Sequence, residues 1–136
     1  MDFEVQIPKG GNTGVFLRGK DPKLNQPINV LELELIDGPT AGGLSGILYP
    51  KQPITLADGN WHQFSILAKD HSITVSHNGR ELYTCDFSKC ARATFNPDGT
   101  RNNYKIPLKD LPLKGRIGFQ GYLGAVKFRN IAIKEL

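Results

Sequence analysis

Two glutamates, Glu32 and Glu34, stand two residues apart in LELELID (31–37), alternating with Leu31, Leu33 and Leu35. A period of two places both carboxylates on one face of a β-strand and the three leucines on the other. Paired carboxylates on one face suit acid–base cleavage of a glycosidic bond, where their separation governs the outcome. They also suit holding a cation. The plainer alternative is the solvated face of an antiparallel sheet, which alternates in the same way. Arg18 closes the apolar run TGVFLRG (13–19) and has the right charge to pair with either glutamate, as a structural tie or to orient a sugar hydroxyl. Tyr49 and Trp61 offer rings for stacking on a sugar, though a Trp at the start of a strand equally suits a core plug. Asp37 follows the glutamates and suits a cap on the Asp37-Gly38 turn.

The C-terminal stretch GRIGFQGYLGAVKFRNIAIKEL (115–136) reads as two strands with a tight connection. Ile117 and Phe119 alternate with Arg116, Gly118 and Gln120, and Val126 and Phe128 alternate with Lys127 and Arg129. The phase then slips, because Ile131 is an odd number of residues from Phe128. One inserted residue near Asn130, a β-bulge, accounts for the slip. The pair is expected to present Gln120, Lys127 and Arg129 as a polar platform over an apolar sheet face.

The elements that must position these groups are short strands. At 136 residues the chain suits one domain, 1–136, with one core. Its 15 Gly and 9 Pro favour turns over long helices. Phe3, Val5 and Ile7 are in phase in DFEVQIP (2–8). Phe64, Ile66 and Ala68 are in phase in WHQFSILAKD (61–70). In SITVSHNGRELYT (72–84), Ile73 and Val75 run into Asn78-Gly79, the signature of a type I′ hairpin turn. GPTAGGLSG (38–46) reads as a mobile or ligand-facing connection, and GILYP (46–50) as a short strand ending in Tyr49. KDPKLNQP (20–27) reads as a loop. A long irregular stretch, with one helical turn near 108–111, leads to the final strands. Many short alternating runs predict two antiparallel sheets packed face to face, an all-β sandwich.

Several function classes fall away. The formal charge of +4 comes from scattered Lys and Arg, with no run resembling a nucleic-acid patch. No stretch has the length of a membrane span. The opening MDFEVQIPKG has no apolar segment of the signal-peptide kind, and a chain excised from a longer precursor is expected. Cys85 and Cys90 fit no zinc spacing, and His62, His71 and His77 form no ligand pattern with them. The two cysteines suit either a small disulfide loop or separate thiols. No Gly-x-Ser-x-Gly elbow, phosphate loop or dinucleotide fingerprint occurs. No metal or cofactor is expected.

The pieces, in order, resemble one family along nearly the whole chain. DFEVQIPKGGNTGVFLRG (2–19) resembles an opening strand pair whose second strand ends in Arg. LELELID, SGILYP (45–50), the Trp61 strand with its Asn-Gly hairpin, the loop 96–120 running into Ile117-Gly118-Phe119-Gln120, and Phe128-Arg129-Asn130-Ile131 follow in turn. The chain is similar to the bacterial 3-keto-disaccharide hydrolases, which have a concanavalin A-like jelly-roll fold. The resemblance implies a carbohydrate-active domain, a glycoside hydrolase or lyase acting on 3-keto-glycosides, in a periplasmic or secreted setting. It puts Arg18, Glu32, Asp37, Tyr49 and Gln120 in or near the site. On this reading Glu32, Glu34 and Arg18 carry catalysis. A glutamate removes the proton made acidic by the 3-keto group, and Arg18 stabilises the enolate-like charge. Asp37, Tyr49, Gln120, Tyr122, Lys127 and Arg129 bind the saccharide.

Two departures matter. Gln120-Gly121-Tyr122-Leu123 stands where the family has Gln-Asp-His-Gly, so Tyr122 replaces a histidine. Glu34 replaces a Gln. A non-catalytic carbohydrate-binding module is therefore the second reading. The family's strands before the first one here are missing, which predicts an exposed edge at 125–136. The third reading is an assembly domain that forms homo-oligomers through that edge.

Overall fold

The computed structural model describes residues 1–20 and 30–135. The loop expected at 20–27 lies, from Asp21 onward, outside the described residues. Among the described residues eight strands follow one another: β1 (Asp2–Gln6), β2 (Asn12–Gly19), β3 (Leu31–Ile36), β4 (His62–Lys69), β5 (Ser72–His77), β6 (Arg80–Asp86), β7 (Arg116–Phe119) and β8 (Lys127–Ala132). They form a five-stranded sheet, β6-β5-β4-β1-β8, and a three-stranded sheet, β3-β2-β7. Every pairing is antiparallel. The expected all-β sandwich is what the chain forms. A 3-10 turn, Leu108–Asp110, falls where a helical turn is expected.

The alternation decides which residues face inward. Phe3, Val5 and Ile7 meet Val15, Leu17, Leu31, Leu33 and Leu35 across the core, with Phe64, Ile66, Ile73 and Val75 beside them; all are buried. Phe3 stacks on Phe64 with centroids 5.6 Å apart and meets Phe119 edge-on at 6.3 Å, so it joins the two sheets. The β5–β6 hairpin turns through Asn78 (φ 47°) and Gly79 (φ 78°), both left-handed, as a type I′ turn demands. Asn130 (φ 51°) lies at the register shift between β1 and β8, so the expected bulge is present.

The C-terminal pair needs correcting. β7 and β8 do not pair: β7 bonds to β2, with Phe119 opposite Val15, and β8 bonds to β1, with Phe128 opposite Val5. The segment 120–126 crosses from one sheet to the other, tied on the way by the Leu123–Asn12 bridge. Alternation reports which face of a strand is apolar but not which sheet the strand joins. Two apolar faces are equally well covered side by side or across a core, and here Phe119 and Phe128 meet across it with centroids 4.6 Å apart.

The Gly-rich segment 38–46 lines up along β3. Glu34 N–H donates to Gly43 O at 2.8 Å and Ser45 N–H to Glu32 O at 2.9 Å. Tyr83 of β6 donates its hydroxyl to Gly42 O at 2.8 Å and fixes the segment from the other sheet. The expected short strand at 46–50 is only an isolated Leu44–Leu48 bridge. Cys85 and Cys90 are both buried, free thiols. No helix among the described residues is long and apolar enough to cross a membrane.

Candidate active site on the outer face of the three-stranded sheet

The outward face of β3-β2-β7 carries the carboxylates in a defined grid. Glu34 stands opposite Gly14 and Glu32 opposite Phe16. Gln120 continues the Glu34–Gly14 row, its N–H donating to Gly14 O at 2.9 Å. On the far side of β3 the same row reaches Gly43. Glycines make room here: a Cβ on Gly14 would collide with the Glu32 carboxylate, and one on Gly43 with the Tyr49 ring. Glu32 therefore leans over Gly14, towards the Glu34–Gln120 row, and the Tyr49 ring lies over Gly43.

Three polar features converge on this row. Ser45 Oγ donates to Glu34 Oε1 at 2.8 Å. Glu34 Oε2 and Gln120 Oε1 are both buried and have no protein partner. Buried acceptors normally find a donor, so this pair is matched to a hydroxyl-bearing ligand or to water. Burial, and then the neighbouring Glu34 charge, push the Glu32 carboxyl above the usual carboxylate range. Tyr104, hydrogen-bonded through its hydroxyl to Val30 O at 3.0 Å, is pushed up to about 12 by burial and then by the Glu32 charge.

Glu32, Glu34, Gln120 and Tyr49 are thus brought together. Other expected residues lie elsewhere. Arg18 sits at the β2 bulge with φ 58°, where the pairing with β7 shifts register. Burial lowers its pKa, and the carboxylate whose charge opposes that is Asp70 in the β4–β5 turn, not Glu32 or Glu34. Asp37 is exposed and accepts from Gly10 N–H at 2.8 Å, which ties the β1–β2 turn to the end of β3. Tyr122 is 72% exposed, on the crossing segment beyond Gln120.

The platform of Gln120, Lys127 and Arg129 does not exist. Lys127 and Arg129 stand opposite Gln6 and Glu4, on the outer face of the other sheet. Arg129 pairs with Glu4 and lies over the Trp61 ring at 4.0 Å, which occupies that indole. The cause is the crossing at 120–126, which sends β8 to the far sheet. A surface depression of about 380 Å³ on that sheet, lined by Leu67, Asp70, His71 and Asp86 among others, holds neither glutamate.

Sequence reasoning missed Ser45, Gly14 and Tyr104. Gly14 carried a signal, since a glycine inside an apolar strand marks close approach by something else. Ser45 and Tyr104 lie in irregular segments whose pairing no period reveals. It also missed a chain of polar rings at one end of the sandwich: Asp58 Oδ1 lies 2.9 Å from His62 Nε2, and His62 Nδ1 lies 3.0 Å from His77 Nε2.

The sandwich matches known proteins. Residues 1–134 match the description of the 3-keto-alpha-glucoside-1,2-lyase-like domain. The chain belongs to this family. Among solved structures, a candidate glycosyl hydrolase of Parabacteroides distasonis shares the fold with a TM-score of 0.82 and 30% identity, over 95% of this chain and 73% of that one. A second candidate glycosyl hydrolase of the same organism matches with a TM-score of 0.71 and 20% identity, over 95% of this chain and 66% of that one. Among curated proteins, none matches. Membership of this family makes the chain a glycosyl hydrolase-like, carbohydrate-active domain, as its resemblance implied.

Proposed function

We propose that the outer face of the three-stranded sheet cleaves 3-keto-glycosides, with Glu32 as the base. The observation that carries this is the Glu32 carboxylate itself. It leans over Gly14 into the Glu34–Gln120 row, and burial and the Glu34 charge raise its pKa towards the range of an efficient general base. A ketone at C3 of the sugar acidifies the C2 hydrogen. Glu32 takes that proton, the C2–H electron pair becomes a C1=C2 double bond, and the C1–O bond breaks with its electrons leaving on oxygen. The leaving oxygen takes up a proton from Glu32 or from water. The products are an unsaturated keto sugar and a free alcohol; addition of water to the double bond then completes a hydrolysis.

The two unpartnered acceptors, Glu34 Oε2 and Gln120 Oε1, suit hydroxyl donors of the sugar. Tyr49, half exposed over Gly43, supplies a ring face beside them. Arg18, whose charge burial opposes and Asp70 favours, takes no step in this reading. A periplasmic or extracellular setting suits a saccharide substrate.

Turnover of a 3-keto-glucoside by the wild type and by Glu32→Gln tests this reading. Loss on the order of 10³-fold in kcat, in a protein that melts no lower than wild type at the assay pH, supports it. Wild-type binding of a glycan by calorimetry, with no turnover of any 3-keto-glucoside, would establish instead the binding module that Tyr122 in place of histidine suggests.

A further inference from the structure

The connection from β6 to β7 lies against the candidate site, and buried amides hold it there. Asn96 Nδ2 donates to Gly46 O at 3.1 Å and Asn102 Nδ2 to Asn96 Oδ1 at 2.8 Å, while Asn102 Oδ1 accepts from Tyr104 N–H at 2.9 Å. Gly46 adjoins Ser45, the donor to Glu34, and its own N–H donates to the Tyr49 hydroxyl at 3.1 Å. Tyr104 reaches Val30 O, close enough to feel the Glu32 charge. Asparagine is mostly a surface residue, so two of them buried in one irregular segment fix its place.

This scaffold presents two guanidiniums. Phe95 and Arg101 face each other across an antiparallel bridge, and Arg92 and Arg101 both lie over the Phe95 ring, 3.9 and 5.1 Å from its centroid. Thr94, just before that ring, takes φ 64°, a left-handed backbone that a β-branched residue rarely adopts. Its N–H bonds to Tyr104 O and its carbonyl accepts from Asn102 N–H, which hold it there. Stacking uses the face of a guanidinium and leaves its edge of N–H donors open. Both arginines are exposed, and among the described residues neither has a carboxylate partner. Asp98, the one acid within 92–104, turns its Oδ1 to the Thr100 N–H and hydroxyl. Two like charges drawn to one ring with no counter-charge suit an anion.

We propose that Arg92 and Arg101 form an anion subsite at the rim of the candidate site, and that the glycosides taken there are acidic, with a carboxylate or sulfate on the part that projects past Tyr49 and Gly46. The inference rests on reading the Glu34–Gln120 row as a saccharide site. The charge of that row calls for such a device. Glu32 and Glu34 repel an anionic sugar, and a guanidinium fork offsets the repulsion while matching the planar edge of a carboxylate or the oxygens of a sulfate.

Calorimetry with three disaccharides of like size tests this: one ending in glucuronic acid, its carboxyl-reduced neutral form, and that neutral form carrying a 6-sulfate. The better of the two acidic ligands should bind at least tenfold more tightly than the neutral one, less so as salt rises, and it names the anion. Arg92→Gln with Arg101→Gln should melt within a few °C of wild type and lose the preference. Lys89→Gln with Lys105→Gln removes the same charge from the same connection and should keep it. Equal loss in both double variants overturns the subsite. So does equal binding of charged and neutral disaccharides by the wild type, or binding of none. A wild type that turns over a neutral 3-keto-glucoside but binds all three disaccharides equally keeps the chemistry without the subsite. One that prefers the acidic ligands with no turnover keeps the subsite without the chemistry.

Discussion

His62 Nδ1 lies 3.0 Å from His77 Nε2, and the two rings are stacked with centroids 5.2 Å apart. Only one proton fits between two such nitrogens. Asp58 decides which, because its carboxylate accepts from His62 Nε2 at 2.9 Å and so leaves Nδ1 as an acceptor for the His77 N–H. Asp58 itself is held down to about 2, chiefly by the Asn60 backbone N–H, then by the Asn60 and His62 side chains.

Acid should therefore loosen this end of the sandwich. Burial, and then the His62 ring, hold the His77 pKa below the ordinary histidine value. The unfolded chain takes up its proton near pH 6.5, while folded His77 resists until lower pH. The contribution is fully present above about pH 6.5 and is lost as pH falls towards the depressed value. Melting temperature should drop by a few °C between about pH 7 and 5 in the wild type. In His77→Gln this part of the drop should be absent; an identical drop in both proteins would refute the assignment.

The Glu32–Glu34 pair makes a kinetic prediction. A base works when ionised, so kcat/KM should rise with pH through the Glu32 pKa. Removing the Glu34 charge lowers that pKa, and Glu34→Gln should move the ascending limb of the pH–rate profile to lower pH. A limb that stays in place would remove Glu34 from that role.

Raising a carboxyl pKa also costs stability. A group whose folded pKa lies above its unfolded one loses its favourable contribution as pH rises through the folded value. Glu32→Gln should accordingly melt at or slightly above the wild-type temperature at pH 8, and no higher than wild type at pH 4. Differential scanning calorimetry at the two pH values checks the sign.

Two glycines separate site from scaffold. An added methyl at Gly14 meets the flexible end of Glu32, which can swing outward. Gly14→Ala should leave melting within a few °C of wild type and lower kcat/KM by more than about tenfold. At Gly43 the methyl meets the Tyr49 ring and, at 3.0 Å, the carbonyl oxygens of Leu48 and Thr40, which cannot yield without moving backbone. Gly43→Ala should cost about 1–3 kcal/mol in urea unfolding.

Phe3 carries the join between sheets through its contacts with Phe64, Phe119 and Phe128. It is fully buried. Phe3→Ala should cost about 3–5 kcal/mol, measured by denaturant titration.

How far these features were legible in the sequence depended on the range of the signal. Leu31, Leu33 and Leu35 announced their buried face, Asn78-Gly79 announced its turn, and the slip after Phe128 announced the bulge at Asn130, because each is a local pattern. Glu32 and Glu34 were visible as a pair for the same reason. The partner of a strand is not a local property. Nothing in Gln120 and Lys127 says that the residues between them cross to another sheet, so alternation alone sets the two on one platform. Ser45, Tyr104 and Asp58 were invisible because each meets its partner through a loop with no period. No spacing along the sequence links the histidines, because His62 and His77 meet through antiparallel pairing of β4 and β5.

The two cysteines make the chain its own clock. Cys85 and Cys90 are buried, and burial pushes both thiols up, Cys85 to about 12. A thiol must ionise before an alkylating reagent attacks it, so in the folded state at neutral pH both sulfurs react slowly. Each labelling event then records one excursion in which the end of β6 and the 87–90 turn came apart. The modification rate measured against reagent concentration would time the opening of this corner with no probe added and no residue replaced.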